Sequence, residues 1–151
     1  MFRCTIVGIT EAQMPTIGRA LGAVLQTGDV VALHGDLGAG KSTLSRSIIQ
    51  SLCGADTKVP SPTFTLVETY TVHKNMSIWH MDWYRLSHPD EIWELGVQEA
   101  FSEGISLIEW ATKAEGYLPL NTLHITLEDT NTATRDIHIQ GEGWDLSLIH
   151  I

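Results

Sequence analysis

Asp29-Val-Val-Ala-Leu-His34 runs directly into Gly35-Asp-Leu-Gly-Ala-Gly-Lys-Ser42, which runs directly into Thr43-Leu-Ser-Arg-Ser-Ile-Ile-Gln-Ser-Leu52. The first stretch is an unbroken apolar run of strand length, the pattern of a buried strand. The last carries Leu44, Ile48, Ile49 and Leu52 at helical spacing. Between them lies a complete Walker A sequence, in the strand, glycine loop, helix order that the motif requires. Gly35, Gly38 and Gly40 let the backbone curl tightly where side chains would block a phosphate or forbid the φ angles. The loop N–H groups then converge on phosphate oxygens, helped by the positive end of the following helix. Lys41 adds a point charge at the β- and γ-phosphates, and the Ser42 hydroxyl is placed to hold Mg²⁺. A glycine turn that merely joins strand to helix would not need the Gly-Lys-Ser ending. The expectation is a nucleoside triphosphate site.

Outward from this stretch, composition limits the remaining choices. A chain of 151 residues suits one domain with a sizeable core, read here as a single unit over 1–151 with a core at 8–140 and a tail at 141–151. No run approaches the roughly 20 apolar residues of a membrane helix. The opening Met-Phe-Arg-Cys-Thr-Ile-Val does not have the form of a secretion signal. Cys4 and Cys53 make no metal or redox spacing, so a cytoplasmic location with no membrane partner is expected. The net charge is −9, with only 9 Lys and Arg spread along the chain. Unaided gripping of nucleic acid needs a basic patch, and none is visible. The same shortage argues against a phosphotransferase with an arginine-rich lid, leaving Arg46 and Arg85 near the expected site elements.

The flanks of the motif read as alternating elements. Cys4–Val7 suggests a first strand. Thr10-Glu-Ala-Gln13 has the form of a capping box, followed by Met14, Ile17, Leu21, Val24 and Leu25 at helical spacing, with Pro15 setting the helix start. Phe64–Val72, Ser77–Asp82 and Ile105–Glu109 read as strands, and Pro89–Phe101 as helical with a break at Gly96. Leu123–Leu127 and Asp136–Gln140 read as a closing pair across a polar turn. The fold class is therefore α/β, with a P-loop NTPase-like, mainly parallel sheet flanked by helices and antiparallel strands towards the C-terminus.

Two expected strands end in an acid: Ile78-Trp-His-Met-Asp82 and Ile105-Ser-Leu-Ile-Glu109. In an open α/β sheet the carboxyl ends of the strands face the ligand. One carboxylate can serve Mg²⁺ beside Ser42 while the other orients attacking water, and spacing alone does not assign them.

Several segments in order carry a resemblance: Gly-Asp-Leu-Gly-Ala-Gly-Lys at 35–41, Ser-Pro-Thr-Phe at 61–64, His-Met-Asp-Trp-Tyr-Arg at 80–85, Glu-Leu-Gly at 94–96 and Ile-Glu-Trp at 108–110. Over roughly 8–140 the chain resembles the TsaE (YjeE) family of bacterial ATPases, which act in the threonylcarbamoyl modification of an adenosine in certain tRNAs. The resemblance implies ATP and Mg²⁺ as ligands, with Asp36, Leu37, Gly38, Ala39, Gly40, Lys41, Ser42, Thr43 and Trp110 around the nucleotide. It implies Ser42 and Glu109 at the metal, and Lys41, Asp82, Glu109 and Thr63 in catalysis, with Thr63 on a switch-like loop near the γ-phosphate. It implies TsaD and TsaB as partners, tRNA being reached only through them, and hydrolysis that resets their complex. Arg135 resembles a family arginine to which no role is assigned. Gln13, Trp83 and Ser42 depart from the threonine, leucine and threonine usual in the family. Two other readings stay open, a P-loop small-molecule kinase and an ATP-sensing adaptor with little turnover.

Pro62 confines Ser61 to extended backbone, which stiffens the loop that presents Thr63. His80 shares a strand face with Asp82 and reads as a packed or hydrogen-bonded residue rather than a zinc ligand. Of 5 tryptophans, most should fill core or groove, with one or two exposed as anchors. Glu91, Glu94, Glu99 and Glu103 suggest a solvated acidic helix face.

Overall fold

The structure, a computed structural model, describes residues 1–36, 38–73 and 75–146. Seven strands form a single sheet: β1 (Phe2–Thr10), β2 (Val30–His34), β3 (Val67–His73), β4 (Met76–Asp82), β5 (Ile105–Glu109), β6 (Leu123–Asp129) and β7 (Thr134–Gly141). Their spatial order is β1-β7-β6-β2-β5-β4-β3. The four central strands, β6, β2, β5 and β4, run parallel, and the outer pairs β1·β7, β7·β6 and β4·β3 are antiparallel. The expected α/β class and parallel centre are present. Antiparallel strands are not confined to the C-terminal side, because β3 hairpins onto β4 and β1 returns to lie beside β7.

Burial explains why the centre reads as it does in the sequence. Every residue of β5 is buried, and only His34 of β2 is not. A strand covered on both faces has no reason to alternate. On one face Ile17, Leu21, Leu44, Ile48 and Ile49 pack against Val31, Leu33, Ile78, Leu107 and Ile125. These helical residues come from α1 (Met14–Gly22) and α2 (Lys41–Cys53). On the other face Trp83, Ile92, Val97 and Ala100 close over Val30, Ala32, Met81 and Ile108, and α3 (Val97–Glu103) belongs to this layer. Trp83 is fully buried, and its indole nitrogen has no hydrogen-bond partner among the described residues.

Three elements differ from expectation. The strand expected from Phe64 begins at Val67. A turn closed by the Leu66 amide donating to the Pro62 carbonyl at 2.7 Å takes up the preceding residues, and Leu66 sits at φ 69. The helix expected over Pro89–Phe101 is a 3-10 segment, Pro89–Leu95, followed by α3, with Gly96 at φ 83 between them. The break falls where glycine tolerates the left-handed backbone. The box at Thr10 exists, with the Thr10 amide donating to Gln13 Oε1 at 2.9 Å. It caps a 3-10 turn, Glu11–Gln13, and α1 then starts with Pro15 in its first turn, where a missing N–H costs nothing.

Candidate functional site

The carboxyl ends of β2, β5 and β4 meet at one edge of the sheet, and parallel register sets Leu33 of β2 level with the last residues of β5 and β4. Leu33 pairs with Glu109, and Glu109 pairs with Asp82. Both acids therefore emerge on the same face, the one that α2 covers. Each is 4% exposed, and such buried carboxylates need donors.

Glu109 Oε1 accepts the Ser42 hydroxyl at 3.1 Å. Asp82 Oδ2 accepts the Thr63 hydroxyl at 3.2 Å, and Asp82 Oδ1 accepts the Tyr84 amide at 2.8 Å. Thr63 Oγ1 also lies 2.8 Å from Ser61 Oγ. The two acids thus face different partners: Glu109 the first turn of α2, Asp82 the Ser-Pro-Thr loop.

The loop between β2 and α2 has the shape its sequence demands. Gly40 takes φ 107, and a Cβ there would stand 3.3 Å from Arg135 Nε. At Gly35, with φ 142, a Cβ would press to 2.6 Å from the Leu127 carbonyl oxygen. The first N–H groups of α2 have no intrahelical acceptor and point towards the loop's mouth. Lys41 is 6% exposed and turns its ammonium back to the carbonyls of Gly35 at 2.5 Å and Asp36 at 3.1 Å. It also stands 4.3 Å from the centroid of the Trp110 ring, a cation–π contact. Burial pulls the Lys41 pKa down, and Glu109, Asp36 and Asp82 push it back up. Trp110 has φ 58 and ψ 38, a left-handed turn that brings its ring under the lysine as the chain leaves β5. The ring also packs against Tyr84 with centroids 4.9 Å apart.

Gly38, Gly40, Lys41, Ser42, Thr43, Thr63, Asp82, Glu109 and Trp110 line one cleft of about 310 Å³. Asp36 and Ala39 do not line it. Asp36 is exposed, and its carbonyl accepts the Ala39 amide at 3.0 Å to close the loop's turn. Ala39 is buried. Leu37 lies outside the described residues. The cleft has two further lining residues, Glu11 and Arg135. Arg135 lies on β7 beside Ile9 of β1, and its Nη2 reaches the Gly38 carbonyl at 3.5 Å. Its Nε is buried without a hydrogen-bond partner among the described residues. It is the guanidinium at the glycine loop, whereas Arg46 is exposed on α2 and Arg85 contacts the Thr63 carbonyl and the Phe64 ring. Arg135 arrives here because β7 hairpins onto β6 and β6 pairs with β2, the strand that leads into the loop, and the β2·β6 pairing is a long-range one that local sequence does not announce.

His80 is more closely tied to the site than its sequence context indicated. It is 1% exposed, and its Nε2 lies 2.7 Å from Glu109 Oε2. Beside the cleft, His34 and His124 stack with centroids 5.2 Å apart and Nε2 to Nδ1 at 2.9 Å.

The donor set suits a hard cation next to phosphate. A hydroxyl and a carboxylate share one side of the loop mouth, with a lysine beneath and a second carboxylate across the cleft. A mixed α/β sheet with a parallel centre, carrying this loop, helix and strand-end arrangement, defines a protein with a P-loop NTPase-like fold. The pattern described as "Threonylcarbamoyl adenosine biosynthesis protein TsaE" matches residues 9–137, and the chain belongs to the TsaE family. It is 38% identical over 133 residues to the tRNA threonylcarbamoyladenosine biosynthesis protein TsaE of Rickettsia bellii, covering 88% of this chain and 92% of that one. It is 35% identical over 136 residues to the protein of the same name in Bacillus subtilis, covering 89% and 84%. The crystal structure of Bacillus subtilis YdiB superposes with a TM-score of 0.74 at 29% identity, covering 94% of this chain and 86% of that one. Among the described residues no helix is long and apolar enough to cross a membrane.

Proposed function

We propose that this chain is a cytoplasmic, Mg²⁺-dependent ATPase of tRNA threonylcarbamoyladenosine biosynthesis, and that its hydrolysis of ATP resets a TsaB–TsaD complex. The observation that carries the ATPase reading is the 3.1 Å contact between the Ser42 hydroxyl and Glu109 at the mouth of the glycine loop. It supports an assignment that spacing left open. Glu109 serves the metal with Ser42, and Asp82, bonded to Thr63, positions or activates the attacking water. Bound Mg²⁺ would neutralise charge on the β- and γ-phosphate oxygens.

The chain's own groups do the rest. Lys41 leaves the Gly35 and Asp36 carbonyls for the phosphates, a short swing of a flexible stem. The loop amides of Gly38 and of residues 40–43 hold the phosphate oxygens, while the Ala39 amide stays on the Asp36 carbonyl. Arg135 keeps the loop's shape through the Gly38 carbonyl and adds positive charge at its edge. Thr63 hangs on a short loop whose outer residue, Phe64, is 83% exposed. A change of partner for the Thr63 hydroxyl is thereby transmitted to the surface, which is how a nucleotide state is shown to a partner.

The family names supply the pathway, and the acidic surface fits a protein that leaves tRNA to its partners. The test is phosphate release from Mg-ATP by the chain alone and with TsaB–TsaD. Slow release alone, faster release with partners, and a loss of about 100-fold or more in Lys41→Ala are expected. Equal rates with and without TsaB–TsaD would sink the reset role, and a Lys41→Ala protein of normal rate would sink the site.

A further inference from the structure

His80 is buried beside the cleft, and the proposed hydrolysis gives it no task. Strand register explains its place. His80 is two residues before Asp82 on β4 and so shares its face, and that face also carries Glu109 on β5. The two oxygens of Glu109 are divided between two neighbours. Oε1 accepts from Ser42 at 3.1 Å, and Oε2 lies 2.7 Å from His80 Nε2. A carboxylate only accepts, so the imidazole donates from Nε2. Nδ1 is buried with no hydrogen-bond partner among the described residues. An unpaired buried polar atom is unfavourable, and an apolar side chain of similar size would avoid it. Packing alone therefore does not account for a histidine here, whereas the bond to Glu109 does.

We propose that His80 is a positioning residue that holds one oxygen of Glu109, so that the other stays aimed at Ser42 and the Mg²⁺ these two would share. This rests on the Mg-nucleotide reading above. A carboxylate free to turn about its side-chain torsions would present either oxygen, or neither, to the cation. Partners of this kind behind a metal ligand typically change metal affinity about 10-fold or more when removed.

The experiment is a Mg²⁺ titration of nucleotide binding, with ADP as the probe, on the wild type, His80→Leu, His80→Asn, His80→Gln and Lys41→Ala. ADP affinity in excess EDTA is measured in parallel. Leucine removes the donor. Asparagine keeps an amide but places it at the Nδ1 position, short of Glu109. Glutamine carries an N–H donor at the reach of Nε2. The Mg²⁺ midpoint is expected to rise about 10-fold in the leucine and asparagine proteins and to return towards wild type in the glutamine protein, with metal-free ADP affinity unchanged in all three His80 variants. If the leucine protein does not fold, the asparagine and glutamine pair carries the same comparison. An unmoved midpoint in leucine and asparagine, or glutamine no better than either, overturns the proposal. A wild type whose ADP binding ignores Mg²⁺, or a Lys41→Ala protein that binds like wild type, overturns the Mg-nucleotide reading as well. A Mg²⁺-dependent wild type with unmoved His80 variants overturns this inference alone.

Discussion

His34 ends β2 and His124 lies near the start of the neighbouring β6, where each ring is half-buried against the other. Burial lowers the pKa of both, each ring's partial desolvation outweighing the nearby Glu115 carboxylate that pulls them up. The folded state thus binds fewer protons than the unfolded chain just below the ordinary imidazole value of about 6.5. Stability from this pair is fully present above that pH and falls as pH drops through it towards the folded values. The urea midpoint should be lower at about pH 5.5 than at about pH 7.5, and His124→Asn should shrink that difference. A variant with the wild-type pH slope would show that the pair is not responsible. Single residues were unevenly legible in sequence. Lys41 and Ser42 announced themselves because backbone and chemistry are encoded together within eight residues. Asp82 and Glu109 were legible as strand ends. Which acid faces Ser42, and what holds Glu109 in place, depend on pairings between strands that no local window contains.

Elements were most legible where burial is complete and least where the chain turns. β2 and β5 could be read from apolar runs because both of their faces are covered. Phe64–Leu66 alternates like the strand that follows, but its residues close a turn instead, and a hydrogen bond from Leu66 to Pro62 outweighs the pattern. Contact between α1 and α2 was not legible at all, since it depends on the absence of side chains. A Cβ on Gly18 would meet the Ser47 carbonyl carbon at 2.7 Å and the Ile48 nitrogen at 2.9 Å. Backbone atoms cannot step aside as a side chain could. Gly18→Ala should therefore destabilise the fold by about 2–3 kcal/mol, despite alanine's better helix propensity. Chemical denaturation measures this directly, and a stabilised variant would mean that the helices can separate without loss. Because α2 carries Lys41 and Ser42, the same substitution should also weaken nucleotide binding at temperatures where the protein remains folded.

The whole molecule places one cleft over the carboxyl ends of several strands drawn from distant parts of the chain. A ligand that binds there only in the folded state adds its binding free energy to stability. Mg-ATP at about 100 times its dissociation constant should add about 2.7 kcal/mol. For a chain of this size that is a rise of about 5–10 °C in Tm. Scanning calorimetry with wild type and Lys41→Ala reads the effect, and a Tm rise that survives in the variant would place binding elsewhere. The strand order has a temporal meaning too. The glycine loop leaves the ribosome early, but its strand, β2, has β5 and β6 as neighbours, and these are made long afterwards. The first strand, β1, waits for the last, β7. Until β5 and β6 have been made, the phosphate loop has no sheet to stand on. Nascent chains should therefore acquire nucleotide affinity in one late step, and ATP cannot serve as an early template for folding.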